Sequence, residues 1–267
     1  MKYSSIIFVL FFLNNCFSQN FFEKGREEYR NGNSEKAIEL FTKAIENKIE
    51  ISNSLMYRGA AETSLKFYSD AIKDLDASKK MDSISTYRLY FFYGRYYLLK
   101  EDFDKALINF NKSISLNINH AASYNGRSSI KIVMNDFTGA IEDEDIAIHL
   151  DPNDELFYDT RGFAKLMLEK YNEAIEDFDS SIKIKPQAKE FAHRGLAYFK
   201  LNNFSKAIND FSKAIELNPL TVDVIYLRGI AYKLSNQNLL ACKDFNKCIE
   251  MGFPKEKLQD YLKETCN

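Results

Sequence analysis

A basic residue followed by glycine returns along this chain at nearly constant intervals, and that recurrence constrains the fold more than any other feature. The pairs are Lys24-Gly25, Arg58-Gly59, Arg161-Gly162, Arg194-Gly195 and Arg228-Gly229, with Tyr93-Gly94 and Arg127-Ser128 filling the two gaps. Successive steps are 34, 35, 34, 34, 33 and 34 residues. Twelve residues after each glycine position stands an alanine: Ala37, Ala71, Ala106, Ala140, Ala174, Ala207 and Ala241. Four further on comes Phe41, Leu75, Phe110, Glu144, Phe178, Phe211 or Phe245. Three beyond that is a small residue: Ala44, Ser78, Ser113, Ala147, Ser181, Ala214 or Cys248. Pro152, Pro186 and Pro219 close three of the units. A period of this length belongs to chains that stack one supersecondary unit, because a single unit cannot bury its own apolar face.

Only 10 Gly and 4 Pro occur in 267 residues, which argues for long helices over strands or disorder. The 22 Phe and 16 Tyr supply ample core. A helix hairpin then explains the spacing. Gly or Ser on the first helix faces Ala on the second, so the two backbones approach closely. The large residue fills the gap beside them, and the last small residue lets the next hairpin dock. Proline cannot continue a helix interior and marks the turn between units.

This G…A…F…A…P spacing resembles the tetratricopeptide repeat family over about residues 19–253. The resemblance implies an all-α, right-handed solenoid of about seven antiparallel hairpins, near 19–51, 52–86, 87–120, 121–154, 155–187, 188–221 and 222–253. Departures are Glu144 at an aromatic position, and Phe21, Leu55, Tyr90, Tyr124, Tyr158, Phe191 and Ile225 where the family carries an early Trp. Residues 254–267 read as a capping helix: Pro254 suits a first helical position, and Lys255, Lys257, Asp260, Lys263 and Glu264 form a wet face.

Residues 1–18 have the layout of a secretory signal peptide. Lys2 is the positive start, Ile6 to Leu13 the apolar stretch, and Cys16-Phe17-Ser18 offers small residues for cleavage before Gln19. The mature chain is therefore expected in the periplasm, at the cell surface or secreted. Lipidation of Cys16 is the alternative, although Asn15 stands where a small residue is normally needed. No other segment is apolar enough to cross a membrane.

Charge is balanced, with 36 basic and 38 acidic residues, which argues against nucleic acid as a partner. His120, His149 and His193 lie in three different units, and no phosphate loop, GxSxG elbow or HExxH is present. No enzyme, cofactor or metal is therefore expected. Glu142-Asp143-Glu144-Asp145 is splayed around a helix axis, and Asp151-Pro152-Asn153-Asp154 reads as a turn rather than a calcium loop. Asn111-Lys112-Ser113 and Asn203-Phe204-Ser205 match the glycosylation acceptor pattern, which means little in an Asn-rich chain.

In the family the first helices line a concave groove. The resemblance places Met56, Tyr57, Phe91, Phe92, Arg95, Asn125, Asp159, Thr160, Phe163, Ala192, His193, Tyr226 and Leu227 on that surface. A mixture of rings and a few polar groups suits a protein partner. The same rings would equally serve packing between helices. Some relatives grip a peptide's terminal carboxylate with Lys and Asn in three adjacent units; no three units here carry that set. The function expected is a scaffold that binds a protein or peptide segment. The alternative is an envelope solenoid that recognises carbohydrate or a peptidoglycan-linked partner.

Two structural expectations complete the reading. Sixteen residues after each Arg of the motif stands an Asp, pairing Arg58 with Asp74, Arg127 with Asp143, Arg161 with Asp177, Arg194 with Asp210 and Arg228 with Asp244. Where Tyr93 replaces the Arg, the acid becomes Asn109, which points to ion pairs within each hairpin. After signal removal Cys242, Cys248 and Cys266 remain. Cys248 occupies a small-residue docking position and is expected as a buried thiol, leaving Cys242 to pair with Cys266.

Overall fold

The computed structural model describes residues 21–81 and 86–266. The proposed signal segment lies outside the described residues. The architecture is an all-α helical repeat solenoid. Its contacts fall into two compact units, up to Ile130 and from Lys131.

The first unit holds α1 (residues 21–30), α2 (Ser34–Glu46), α3 (Ile51–Ser64), α4 (Tyr68–Met81), α5 (Tyr87–Leu99), α6 (Phe103–Leu116) and most of α7 (Ala121–Val133). The second holds α8 (Phe137–Leu150), α9 (Glu155–Met167), α10 (Tyr171–Ile184), α11 (Ala188–Lys200), α12 (Phe204–Leu217), α13 (Val222–Leu234) and α14 (Asn238–Glu250). A 3-10 turn (Lys255–Leu258) and α15 (Gln259–Thr265) end it. Neighbouring helices run antiparallel. Between α3 and α4, Ser52 meets Ser78, Arg58 meets Asp74, and Gly59 lies against Ala71 and Leu75, the partners closing in toward the turn.

Each turn inside a hairpin is made by one residue in the left-handed region: Gly32, Lys66, Glu101, Asn135, Glu169, Asn202 and Asn236, with φ between 58° and 82°. After α5, Glu101 N–H reaches the Leu98 carbonyl and Asp102 N–H the Tyr97 carbonyl, which satisfies the orphan acceptors of the helix end. Later turns between hairpins take the opposite form, whereas the one between α2 and α3 holds Lys48 and Glu50 in the left-handed region, at φ 58° and 43°. Asp151, Lys185 and Asn218 are extended, as a residue before proline must be. Asn117 adopts the same geometry without a following proline.

Ala37, Ala71, Ala106, Ala140, Ala174, Ala207 and Ala241 are fully buried, as are Phe41, Phe110, Phe178, Phe211 and Phe245. The glycines do not chiefly face those alanines as the spacing suggested. A Cβ on Gly94 would stand 2.7 Å from the Phe110 ring, and one on Gly229 2.7 Å from Phe245. The ring lies directly on the glycine backbone, so the gap it fills is the one that the missing side chain leaves. The last small residue also acts within its own hairpin. Ser113, Ser181 and Cys248 each direct their polar atom at the carbonyl at or near the start of the first helix, on Tyr87, Glu155 and Val222.

The arginines form more than a ladder of pairs. Arg58, Arg161, Arg194 and Arg228 each donate Nε and Nη2 to both oxygens of Asp74, Asp177, Asp210 and Asp244, at 2.5–3.0 Å. The remaining Nη1 crosses to the preceding hairpin. It reaches Thr42 from Arg58 (3.0 Å), Asp145 from Arg161 (2.6 Å), Asp179 from Arg194 (2.6 Å) and Ser212 from Arg228 (3.0 Å). One planar fork thus closes its own hairpin and stitches it to its neighbour. Where Tyr93 replaces arginine, its hydroxyl donates to Asp76 of the preceding hairpin at 2.6 Å, keeping the stitch. Arg127 and Asp143 fall in different units. Arg127 donates to Asn111 (2.8 Å) in the first unit, and Asp143 pairs with Lys131 (3.0 Å) in the second.

At the C-terminal end Cys242 and Cys266 form a disulfide with Cα atoms 5.2 Å apart, and Cys248 is a buried free thiol pushed up to about 11 by burial. The bridge ties α15 over the apolar end of the last hairpin, where Leu258 is fully buried. Lys233 pairs with Glu264 across the same junction.

Candidate functional site

In the first unit, α1, α3 and α5 present a sheet of rings. Tyr57 is half-buried, stacked on Phe41 (5.8 Å between centroids) and edge-on to Phe92 (5.2 Å) and Phe22 (5.9 Å). Phe91 is half-buried against His120 (4.9 Å) and Phe110 (6.0 Å). Arg95 donates to the Tyr29 hydroxyl at 2.5 Å. Asn125 is half-buried on α7. Tyr57, Phe91, Arg95 and Asn125 are thus each half-buried on this unit's first helices.

Met56 and Phe92 are not. They are only 3% and 5% exposed and belong to the core between hairpins, with Phe92 wedged edge-on between Tyr29 and Tyr57. Neither belongs to a groove: on a helix of about 3.6 residues per turn, the adjacent Tyr57 and Phe91 stay half-buried while these two turn into the core. His120 is drawn into the same layer. Its Nδ1 lies 2.7 Å from Ser123 Oγ, and burial, followed by the Arg88 charge, lowers its pKa to about 4.

In the second unit Asp159 is likewise no surface contact. It is 1% exposed and holds Lys189 (2.6 Å) and His193 Nδ1 (3.0 Å), both from the next hairpin. Burial alone would push its carboxyl up, but the bond and charge of His193, with Lys189, hold it below the usual range. His193 in turn rests on Phe163 (5.2 Å) and Phe178 (5.5 Å). Tyr226 is covered by the C-terminal segment, stacked on Phe253 (5.1 Å) and edge-on to Tyr261 (6.2 Å). Thr160, Ala192 and Leu227 are half-buried among these groups.

The fold brings two further arginines to the first unit's face. Arg26 lies over Phe22 (5.7 Å) and Tyr57 (5.6 Å), and Arg88 over Tyr87 (4.8 Å). Both line one small cavity of about 150 Å³. The signal was present: Arg26 follows Gly25 as Arg95 follows Gly94, and Arg88 shares its place in the repeat with Lys189. Among the described residues no three His, Cys, Asp or Glu are placed to hold a metal, and no helix is long and apolar enough to cross a membrane.

Comparisons agree with this architecture. Two models of the tetratricopeptide repeat match the chain, at residues 87–120 and 188–219. A stretch of 110 residues is 34% identical to heat shock protein STI1 of Saccharomyces cerevisiae, covering 40% of this chain and only 18% of that protein. A tetratricopeptide repeat protein from Parabacteroides merdae superposes with a TM-score of 0.59 at 20% identity, over 94% of this chain and 99% of the other. A chain of the Cut9–Hcn1 hetero-tetramer of the APC/C gives 0.69 at 17% identity, over 96% and 56%. At these identities the structures speak for the fold alone.

Proposed function

We propose that this chain, which carries tetratricopeptide repeats, is a non-catalytic scaffold whose first-helix face in the N-terminal unit binds an extended or helical segment of a protein partner. The observation that carries the reading is the half-open ring surface of Tyr57 and Phe91 bordered by Arg95, Arg26 and Arg88. Rigid rings and arginines are the side chains that dominate protein-binding hot spots, since they offer contact area at little entropic loss. Repeats of this kind serve protein–protein interaction.

The mature protein acts outside the cytoplasm, after removal of residues 1–18. Support comes from the charged and apolar layout of that segment and from the Cys242–Cys266 disulfide, a bond that persists in oxidising compartments. N-terminal sequencing of the protein from its source cells should begin at Gln19; a chain retaining Met1 overturns this placement.

The docking face is tested by affinity capture from the extracytoplasmic fraction, with bound proteins identified by mass spectrometry. Phe91→Ser with Arg95→Glu should weaken capture more than tenfold, about 1.4 kcal/mol, while helicity persists. Ile108→Ser, at an exposed residue of the second helix α6, should leave capture intact. The opposite pattern rules out this face.

A further inference from the structure

We infer that the C-terminal cap is a redox-operated strap. The Cys242–Cys266 bridge holds a curtailed helix in the seat of a further first helix, and reduction by a dithiol frees that helix and bares the thiol of Cys248.

The register of the repeat shows what the cap imitates. Leu258 stands 29 residues after Gly229, as Ser123 does after Gly94, and Cys248 stands 19 after Gly229, as Ser113 does after Gly94. Ser113 and Ser123 meet at 2.7 Å between α6 and α7, and Leu258 lies in one buried cluster with Cys248. Thr265 likewise matches Ile130, and both are buried. The 3-10 turn and α15 thus dock on the last hairpin as a first helix docks on the hairpin before it. Yet α15 has only 7 residues, where α5, α7, α9, α11 and α13 have 13 each.

A helix so short does not persist in water on its own. Its seat offers it the burial of Leu258 and a contact between the Tyr261 and Phe245 rings at 5.2 Å. The outer side of the cap is wet, with Gln259, Asp260, Lys263 and Glu264 exposed. Its ion pair to α13, Lys233 with Glu264, adds little, because the Glu264 side chain is 57% exposed. The bridge is what turns this marginal contact into a fixed one.

The bridge is also placed to be worked. Cys266 is exposed and Cys242 half-buried, so a dithiol reaches the sulfurs without unfolding the chain. One thiolate of the dithiol attacks a bridge sulfur, forms a mixed disulfide and releases the other cysteine. Its second thiol then closes the reductant's own disulfide, so Cys242 and Cys266 together gain the two electrons and two protons that the dithiol loses. Cys248 takes no part while the cap is seated, being fully buried, and that burial keeps its thiol protonated. In an oxidising compartment the strap stays closed, and a protein dithiol opens it.

The test follows alkylation of Cys248 by iodoacetamide in the full-length protein, read by mass spectrometry. In the oxidised protein Cys248 should stay unlabelled. After reduction with dithiothreitol it should react about tenfold faster or more, as local opening requires, and trypsin should cut after Lys263 while overall helicity persists. Cys242→Ser with Cys266→Ser should show both changes without reductant, and reoxidation of the wild type should restore protection. Cys248 that stays protected in the reduced and the double-serine protein overturns the strap, since packing alone then holds the cap. A general loss of helicity on reduction overturns it too, since the bridge then staples the whole fold. Cys248 that reacts readily in the oxidised protein also overturns it, since the closed cap then covers nothing.

Discussion

Glu62 sits where two other hairpins hold a lysine, and replacing it with glutamine should stabilise the protein at neutral and alkaline pH. Three residues past the glycine position, α7 and α9 carry Lys131 and Lys165, which bind Asp143 at 3.0 Å and Asp177 at 2.8 Å. In α3 the same place is taken by Glu62, 8% exposed, with Oε2 unpartnered and Oε1 4.0 Å from Arg58, whose fork already holds Asp74. Burial first, and then the Asp74 charge, raise its pKa from the ordinary 4.5 to about 7, while Arg58 opposes. The folded chain therefore binds a proton more tightly than the unfolded one. Stability from this group is fully present below pH 4.5 and is lost as pH rises through about 7. At ~1.4 kcal/mol per factor of ten in proton affinity, the ionised carboxylate costs at most about 3 kcal/mol at pH 8.5. Glu62→Gln should remove most of that penalty at pH 8.5 and almost none at pH 4.5. Urea unfolding of both proteins across this range reads the difference directly. A variant no more stable than wild type at pH 8.5, or a gain of the same size at both ends, refutes the reasoning.

The hairpin turns offer a second gain. Glu101→Gly and Glu169→Gly relieve side chains held at φ 59° and 60°, and each should add up to about 1 kcal/mol to thermal stability; a loss would show that the turn is unstrained. Cys266→Ser opens a bridge of sequence separation 24 and should lower stability by roughly 3 kcal/mol on chain-entropy grounds, measured under non-reducing conditions against untreated protein. Asp177→Ala leaves Arg161 and Lys165 half-buried, with Asp145 the remaining ion-pair partner of Arg161 among the described residues, and should cost about 3 kcal/mol, more than Arg161→Met with Asp177→Leu; equal losses would mean that the pair is not the source.

The fold was legible because its period is enforced sterically at every return. A ring such as Phe110 or Phe245 needs a residue without a side chain opposite it, and that need recurs every 34 residues or so. The Arg–Asp pairs were legible for a related reason: Asn109 stands at the one place where Tyr93 replaces the cation. The outward half of the fork was not, since Thr42, Asn111, Asp145, Asp179 and Ser212 share only a polar atom, and residue identity hides the common role. On the candidate face the family register could not separate neighbouring positions on one helix. Met56, Phe92 and Asp159 were placed outward and lie inward. Arg26 and Arg88 were missed although their neighbours in register, Arg95 and Lys189, were in view.

Because the arginine fork reaches about as far backward along the chain as it does forward, a hairpin can be lost without leaving a loose thread. Were residues 154–187 excised, Arg194 would keep Asp210 ahead of it and find Asp145 behind it at the offset now held by Asp179. The outward acceptors are interchangeable parts, charged in some rungs and neutral in others, so recombination between repeats would alter how strongly neighbours hold together without altering whether they fit. Chain length in a scaffold of this kind is thereby free to change in steps of one hairpin, and the surface offered to partners can grow or shrink with it.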